Sequence, residues 1–252
     1  MYGSEGFVIE DRFVEDINNK YFCELNANLK RLVSYALPMI NKNEVIKCCK
    51  SDSLIKPDIC IYQKSNRAFI SIKSGLSEGM HEENILTFVD FLKENGIDDY
   101  TIETFLLFHY GDGTTDGTGT KRLSAVEVKY KLENRIQKMN DAFNASKDFV
   151  KKFADRVMWQ GVNENADRAE ILYHGDTDFG IFISRNDFIE FLDKRRWDYM
   201  NMCVHIGPFT LRPKARYAER EVVHSQSLKK VSIKYPRLIY DIEFIVKKTK
   251  KD

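Results

Sequence analysis

The sequence predicts an α/β protein, a mixed β-sheet core flanked by helices, and three observations carry that expectation. Helix-like and strand-like runs alternate along the 252 residues without repeats or low-complexity stretches. Two short apolar strands separated by a polar loop stand within the first eighty residues. The composition is that of a chain with a core, 43% hydrophobic and 12% aromatic.

The elements follow in order. From Tyr21 to Ala36, Phe22, Leu25, Leu29, Leu32, Val33 and Ala36 keep the spacing of one buried helical stripe, and Pro38 stops it. Asp58–Tyr62 and Ala68–Lys73 are β-type runs, with Gln63–Arg67 as the hairpin loop. Met80–Glu94 reads as a helix whose stripe is Ile85, Phe88, Val89 and Leu92, closed by Asn95-Gly96. Thr101–Tyr110 is apolar enough for a strand. Ser124 to about Trp159 reads as a long helix with a break near Asn144. Strand-like runs at Ile171–Tyr173, Phe179–Ser184, Val204–Ile206 and Arg237–Val246, with a helix over Asp187–Arg196, complete the chain. No linker marks a domain boundary, so residues 1–252 read as one domain; the Gly-rich stretch 111–120 is the weakest point.

That stretch, Gly-Asp-Gly-Thr-Thr-Asp-Gly-Thr-Gly-Thr, misses the P-loop, dinucleotide and calcium-loop templates: Thr118, Asp116 and Leu123 stand where those need Gly, Gly and Glu. A flexible surface loop is expected, with backbone amides that can still cradle a phosphate.

Charge and cysteines narrow the class. The net charge is +1, yet residues 1–100 carry 12 Lys/Arg against 16 Asp/Glu, and residues 194–237 carry 11 against 3. A basic segment of that density suits a polyanion partner. Five scattered cysteines with no C-x-x-C support neither a disulfide framework nor a structural zinc site, and point to reduced thiols in the cytoplasm. No window approaches eighteen uncharged apolar residues, which excludes a membrane helix, and the opening residues lack the pattern of a secretory signal.

The chemistry gathers at the hairpin. Pro57-Asp58 opens its first strand and Ser71-Ile72-Lys73 closes its second. Alternate strand residues share a face, so Ser71 and Lys73 project together, Ile70 and Ile72 point into the core, and the hairpin brings Asp58 beside the polar pair. An Asp–Lys pair there is either a structural ion pair or a Mg²⁺ site. In the second case Asp58 and the Ile72 carbonyl supply hard oxygen ligands and Lys73 orients a water.

Pro57-Asp58 and x-x-Lys73 on consecutive strands, with a helix before and a helix after, resemble the PD-(D/E)xK nuclease superfamily, the fold of many restriction endonucleases. The departure is Ser71 where the motif has an acid. Some restriction endonucleases of the superfamily have that serine and take the missing carboxylate from the following helix. The string Ser71-Ile72-Lys73-Ser74-Gly75, then His81-x-Glu83, is similar to a group of such proteins with S-x-K-S-G and H-x-E. The resemblance rests on roughly residues 13–110. It implies Asp58 and Glu83 as metal ligands, with His81 at the scissile phosphate or fixing Glu83. Glu24, on the first helix, is the acid related nucleases supply from that element, unless it is a solvated surface residue. Helix periodicity instead turns Glu82 toward the apolar stripe, so Glu82 and Glu83 both stay open. In the basic C-terminal part, roughly 185–240, Arg212, Lys214 and Arg216 share one face if extended, suited to phosphate contacts.

Three functions compete. The first is a Mg²⁺-dependent endonuclease of the type II restriction kind, acting on double-stranded DNA as a homodimer, since twofold-symmetric sites are most simply cut by a twofold-symmetric enzyme. The second is a nuclease-like nucleic-acid-binding module that has lost cleavage. The third is a protein–protein interaction domain with a structural Asp58–Lys73 pair.

Overall fold

A computed structural model describes residues 4–52, 55–75, 78–195, 197, 203–213 and 226–249. In chain order its elements are α1 (Ser4–Ile17), α2 (Ala27–Ala36), β1 (Lys47–Lys50), β2 (Ile59–Gln63), β3 (Asn66–Lys73), β4 (Gly79–Asn84), α3 (Ile85–Glu94), α4 (Asp99–Tyr110), α5 (Ala125–Asn144) and α6 (Lys147–Asp155). A π-helical turn at Arg156–Gln160 leads into β5 (Ile171–Gly175), β6 (Gly180–Ser184), α7 (Arg185–Asp193), β7 (His205–Ile206), β8 (Phe209–Pro213), β9 (Lys230–Lys234) and α8 (Leu238–Thr249). The class is mixed α/β. No described helix is long and apolar enough to cross a membrane.

The chain divides into two compact units. Unit 1 is assembled from residues 1–77, 154–191 and 237–252, and unit 2 from residues 78–153 and 192–236. Both the 13–110 stretch and the basic 185–240 stretch are therefore shared between units, and the Gly-rich loop lies inside unit 2 rather than at the division.

Unit 1 holds a five-stranded sheet of order β1-β2-β3-β5-β6. Its first three strands form an antiparallel meander, β3 and β5 run parallel, and β6 returns antiparallel. The hairpin is tighter than the sequence suggests. Gln63 pairs Asn66, so only Lys64 and Ser65 turn, and Lys64 takes a φ of 56°, in the left-handed region. The alternation along β3 holds: Ala68, Ile70 and Ile72 are buried in one cluster with Ile59 and Ile61 of β2, Phe13 and Ile17 of α1, and Leu29, Leu32 and Val33 of α2. Each Ile, Leu, Val or Phe among them stabilises the unit by about 1.5–3 kcal/mol when fully buried. The predicted Tyr21–Ala36 helix is a 3₁₀ turn, Phe22–Glu24, followed by α2. Asn26 divides them because its side chain accepts the Leu29 amide at 2.8 Å and caps α2.

Unit 2 holds a four-stranded antiparallel sheet, β4-β9-β8-β7, with helices α3, α4 and α5. Phenylalanines knit its core: Phe88 meets Phe105 edge-on at 5.2 Å, and Phe153 meets Phe209 at 5.5 Å. Three expectations change. The first turn of the Met80–Glu94 helix is strand β4, paired with β9, and the helix starts only after Asn84, whose side chain caps it through the Leu86 amide at 2.8 Å. Thr101–Tyr110 is helical because Asp98 caps the Thr101 amide at 2.9 Å and Gly111 ends the helix with a φ of 66°. The strand-like Arg237–Val246 run, which belongs to unit 1, is likewise helix, α8. The expected break near Asn144 is present between α5 and α6.

Candidate active site

Asp58 sits one residue before β2, opposite Ser71 in the hairpin, because Ile59 pairs Ile70 and the Asp58 amide donates to the Ile70 carbonyl at 2.9 Å. That register puts both side chains on one face. The Ser71 hydroxyl donates to Asp58 Oδ2 at 3.0 Å, and the Ile72 amide donates to the same oxygen. Ser71 is fully buried and Asp58 is half-buried, so the carboxylate is held from inside and reached from outside. Strand alternation places Lys73 on the face of Ser71, partly exposed. Lys73 pairs His174 of β5, whose Nε2 lies 3.0 Å from the Gly75 carbonyl.

A second carboxylate lies within the field of Asp58, and it comes from α1. Glu10 has its pKa raised, first by burial and then by the negative charge of Asp58, with Lys50 pulling the other way through a 3.3 Å ion pair. Two acids thus repel each other in a half-buried setting, and the Lys50 ammonium is the cation that stands beside Glu10. Sequence reasoning passed Glu10 over, yet it left a signal. At 100° per residue, Glu10 falls between Ile17 and Val14 on the apolar stripe of α1, an acid where a hydrophobe is expected.

Glu24 belongs to the 3₁₀ turn instead of a helix, and its Oε2 accepts the Tyr21 amide at 2.6 Å as a local cap. The acid that the first helix brings near Asp58 is Glu10.

His81, Glu82 and Glu83 are all on β4 in unit 2, not in the first turn of a helix. The relocated carboxylate from the following helix is thus corrected to a strand residue. His81 pairs Ile233 and Glu83 pairs Val231, both fully buried, while Glu82 pairs Ser232 and is exposed. His81 Nε2 stands 3.6 Å from Glu83 Oε1, with the Glu83 side chain only 1% exposed. The H-x-E pair does come together, through the period of two in a strand rather than by helical spacing. Helix periodicity had favoured Glu82 as the inward residue; the strand turns Glu83 inward.

Arg212 is exposed on β8, opposite Ser232. Lys214 and Arg216 lie outside the described residues. The Gly-rich loop commits several of its amides internally. Asp112 accepts the amides of Thr114 and Gly119, and Thr114 Oγ1 accepts that of Gly117. The buried Arg122 guanidinium ties the loop to the carbonyls of His109 and Tyr110.

For a divalent ion, the described residues offer fewer ligands than a protein-only site requires. Among the described residues no group of three or more His, Cys, Asp or Glu is arranged to hold a metal. Mg²⁺ commonly takes one or two carboxylates and fills its octahedron with water and phosphate oxygens. Asp58 and Glu10 are the two carboxylates that act on each other here, Glu10 being paired with Lys50 at 3.3 Å, and the described hydrogen bonds on Asp58 fall on Oδ2. The Ile72 carbonyl is at the same end of β3. Compared with known proteins, the chain matches no protein-family model and no curated protein.

Proposed function

We propose that this chain is a Mg²⁺-dependent endonuclease of the restriction type, hydrolysing double-stranded DNA by attack of water, with its centre at the Asp58 hairpin end in unit 1. One observation carries the reading: a partly exposed carboxylate, fixed by the Ser71 hydroxyl and the Ile72 amide, shares a sheet face with Lys73 and lies in the field of a second acid, Glu10. When bound, Mg²⁺ polarises the scissile phosphate and lowers the pKa of a water. Asp58 and Glu10 would hold it. Ser71 and the Ile72 amide keep Asp58 from rotating, and Lys73 brings positive charge to the phosphate and orients the water.

Supporting the same reading is the mixed sheet, an antiparallel meander continued by a parallel strand and flanked by helices, as the resemblance implies. The exposed Arg212 and the basic 194–237 segment are the proposed duplex contacts, in a homodimer with one site per strand. The compartment we propose is the cytoplasm, where five thiols stay reduced. In this reading Glu83 is a buried partner of His81 first, and its part in catalysis is a matter for substitution.

A nuclease-like binding module is the second reading. It is favoured by the absence, among the described residues, of a three-residue ligand cluster and by Ser71 in the acid's place. Duplex DNA incubated with Mg²⁺ or with EDTA separates the two. The endonuclease reading expects Mg²⁺-dependent cleavage that Asp58→Ala removes while binding persists. Binding without cleavage in any divalent ion would favour the module.

A further inference from the structure

Unit 1 carries two adjoining concavities that share Tyr35, away from the Asp58 hairpin end. The first, about 530 Å³, has the rings of Phe22, Tyr35 and Phe182 in its walls. Tyr35 and Phe182 lie 5.0 Å apart between centroids, and the Arg31 guanidinium stands 5.5 Å from the Phe182 centroid. The Tyr35 hydroxyl donates to Asp187 Oδ2 at 3.1 Å, and the Ser184 hydroxyl donates to the same oxygen at 2.6 Å, which fixes the ring. The second concavity, about 420 Å³, is lined in part by Arg67, Arg168 and Arg185, with Glu170 the carboxylate among the described residues there.

The three guanidinia are held from behind. Arg168 and Arg185 both pair with Asp155, the former at 3.9 Å, and Arg67 pairs with Asp167 at 3.9 Å. Neither Asp155 nor Asp167 belongs to the cavity wall. Each guanidinium has five donors in a fork, so one carboxylate behind it leaves donors for an anion in front.

The two halves select different chemistry. An aromatic-walled cavity of this size, with a cation against one ring, takes a flat π system. An arginine cluster takes a phosphate, bidentately. A nucleotide joins both parts covalently. We infer that unit 1 binds a nucleotide here, its base in the aromatic cavity and its phosphate against Arg67, Arg168 and Arg185. The source is either a free mononucleotide or an unstacked nucleotide of a single strand, since a duplex keeps its bases stacked. Arg67 and Lys73 are six residues apart on β3, roughly 20 Å of strand, so this site is separate from the hairpin end and stands independently of any cleavage there.

The test uses the full chain in EDTA, where Mg²⁺-dependent cleavage is silent. Adenosine monophosphate, adenosine, inorganic phosphate and a short single-stranded oligonucleotide are titrated by calorimetry. Saturable binding of the monophosphate, about tenfold or more tighter than adenosine or phosphate alone, is the expected result. Ser34→Trp, a change at an exposed position in the cavity wall, should weaken it by about tenfold or more with an unchanged circular dichroism spectrum. Arg67→Gln with Arg168→Gln should reduce the salt slope of oligonucleotide binding by about 0.7 per lost contact. Tighter binding of the oligonucleotide assigns a strand as the source, and tighter binding of the monophosphate assigns the free nucleotide. Equal affinity for adenosine and its monophosphate, no saturable binding of either nucleotide probe at millimolar concentration, or affinities unmoved by both sets of substitutions would overturn the inference.

Discussion

Two strand segments, with seven residues between them in the chain, treat their polar side chains in opposite ways. At Ser71-Ile72-Lys73, β3 ends a mixed sheet, and the acid beside it, Asp58, is held by a hydroxyl and an amide while keeping a face toward water. At His81-Glu82-Glu83, β4 lies in an antiparallel sheet, and its inward acid is enclosed with a histidine at 3.6 Å. Both place an acid and a base on one sheet face. Access separates them: a carboxylate that substrate can reach, with a second acid in its field, suits an ion and a phosphate, whereas an enclosed one serves first to satisfy its neighbour.

The sharpest way to break this contrast is substitution at the two acids. Asp58→Ala should reduce Mg²⁺-dependent cleavage to background, measured on supercoiled duplex, with DNA binding retained. Undiminished cleavage would remove the hairpin end from the chemistry. Lys73→Ala should cost about 10²–10⁴-fold in rate if its ammonium acts on the water or the leaving group. A change smaller than tenfold would reduce Lys73 to a structural partner.

At β4 the expected loss is of stability. Glu83→Gln should destabilise by about 1–3 kcal/mol in urea unfolding, through a buried interaction weakened next to His81. Glu82→Gln, exposed, should stay within about 0.5 kcal/mol. If instead Glu83→Gln leaves stability intact and removes cleavage, the relocated-acid reading of the resemblance is restored and the contrast between the two strands fails.

The hairpin was legible because its pattern is local. Ile59, Ile61, Ile70 and Ile72 recur at every second position over two short apolar runs, and the face shared by Asp58, Ser71 and Lys73 follows from a period of two. Strand β4 was not legible: Met80-His81-Glu82-Glu83 holds no β-branched residue, and the helix that follows lends it helical spacing. Helices α4 and α8 carry the reverse problem, since aromatic and β-branched residues crowd Thr101–Tyr110 and Leu238–Val246, and burial overrode their propensity. The division into units was hidden because β3 and β5 pair across about a hundred residues, Ile70 with Ile171, with no composition shift between them. Glu10 was missed for the plainer reason that α1 was not read as a helix at all.

A smaller effect sharpens the role of Glu10. Its pKa is raised in the folded chain by burial and by Asp58, so the folded state holds that proton more tightly than the unfolded one. The associated stability is present below the ordinary glutamate range and is lost as pH rises through the raised value. Glu10→Gln should flatten that part of the pH–stability curve. Added Mg²⁺ should pull the Glu10 titration back down, as read by carboxyl NMR, and a titration insensitive to Mg²⁺ would separate Glu10 from the ion.

The most direct measurement is a crystal soaked in Mn²⁺ and read by anomalous scattering. One peak is expected at the hairpin end, ligated by Asp58 and Glu10, with Glu83 still beside His81. A peak that Asp58 does not touch, or no peak at saturating Mn²⁺, would contradict it.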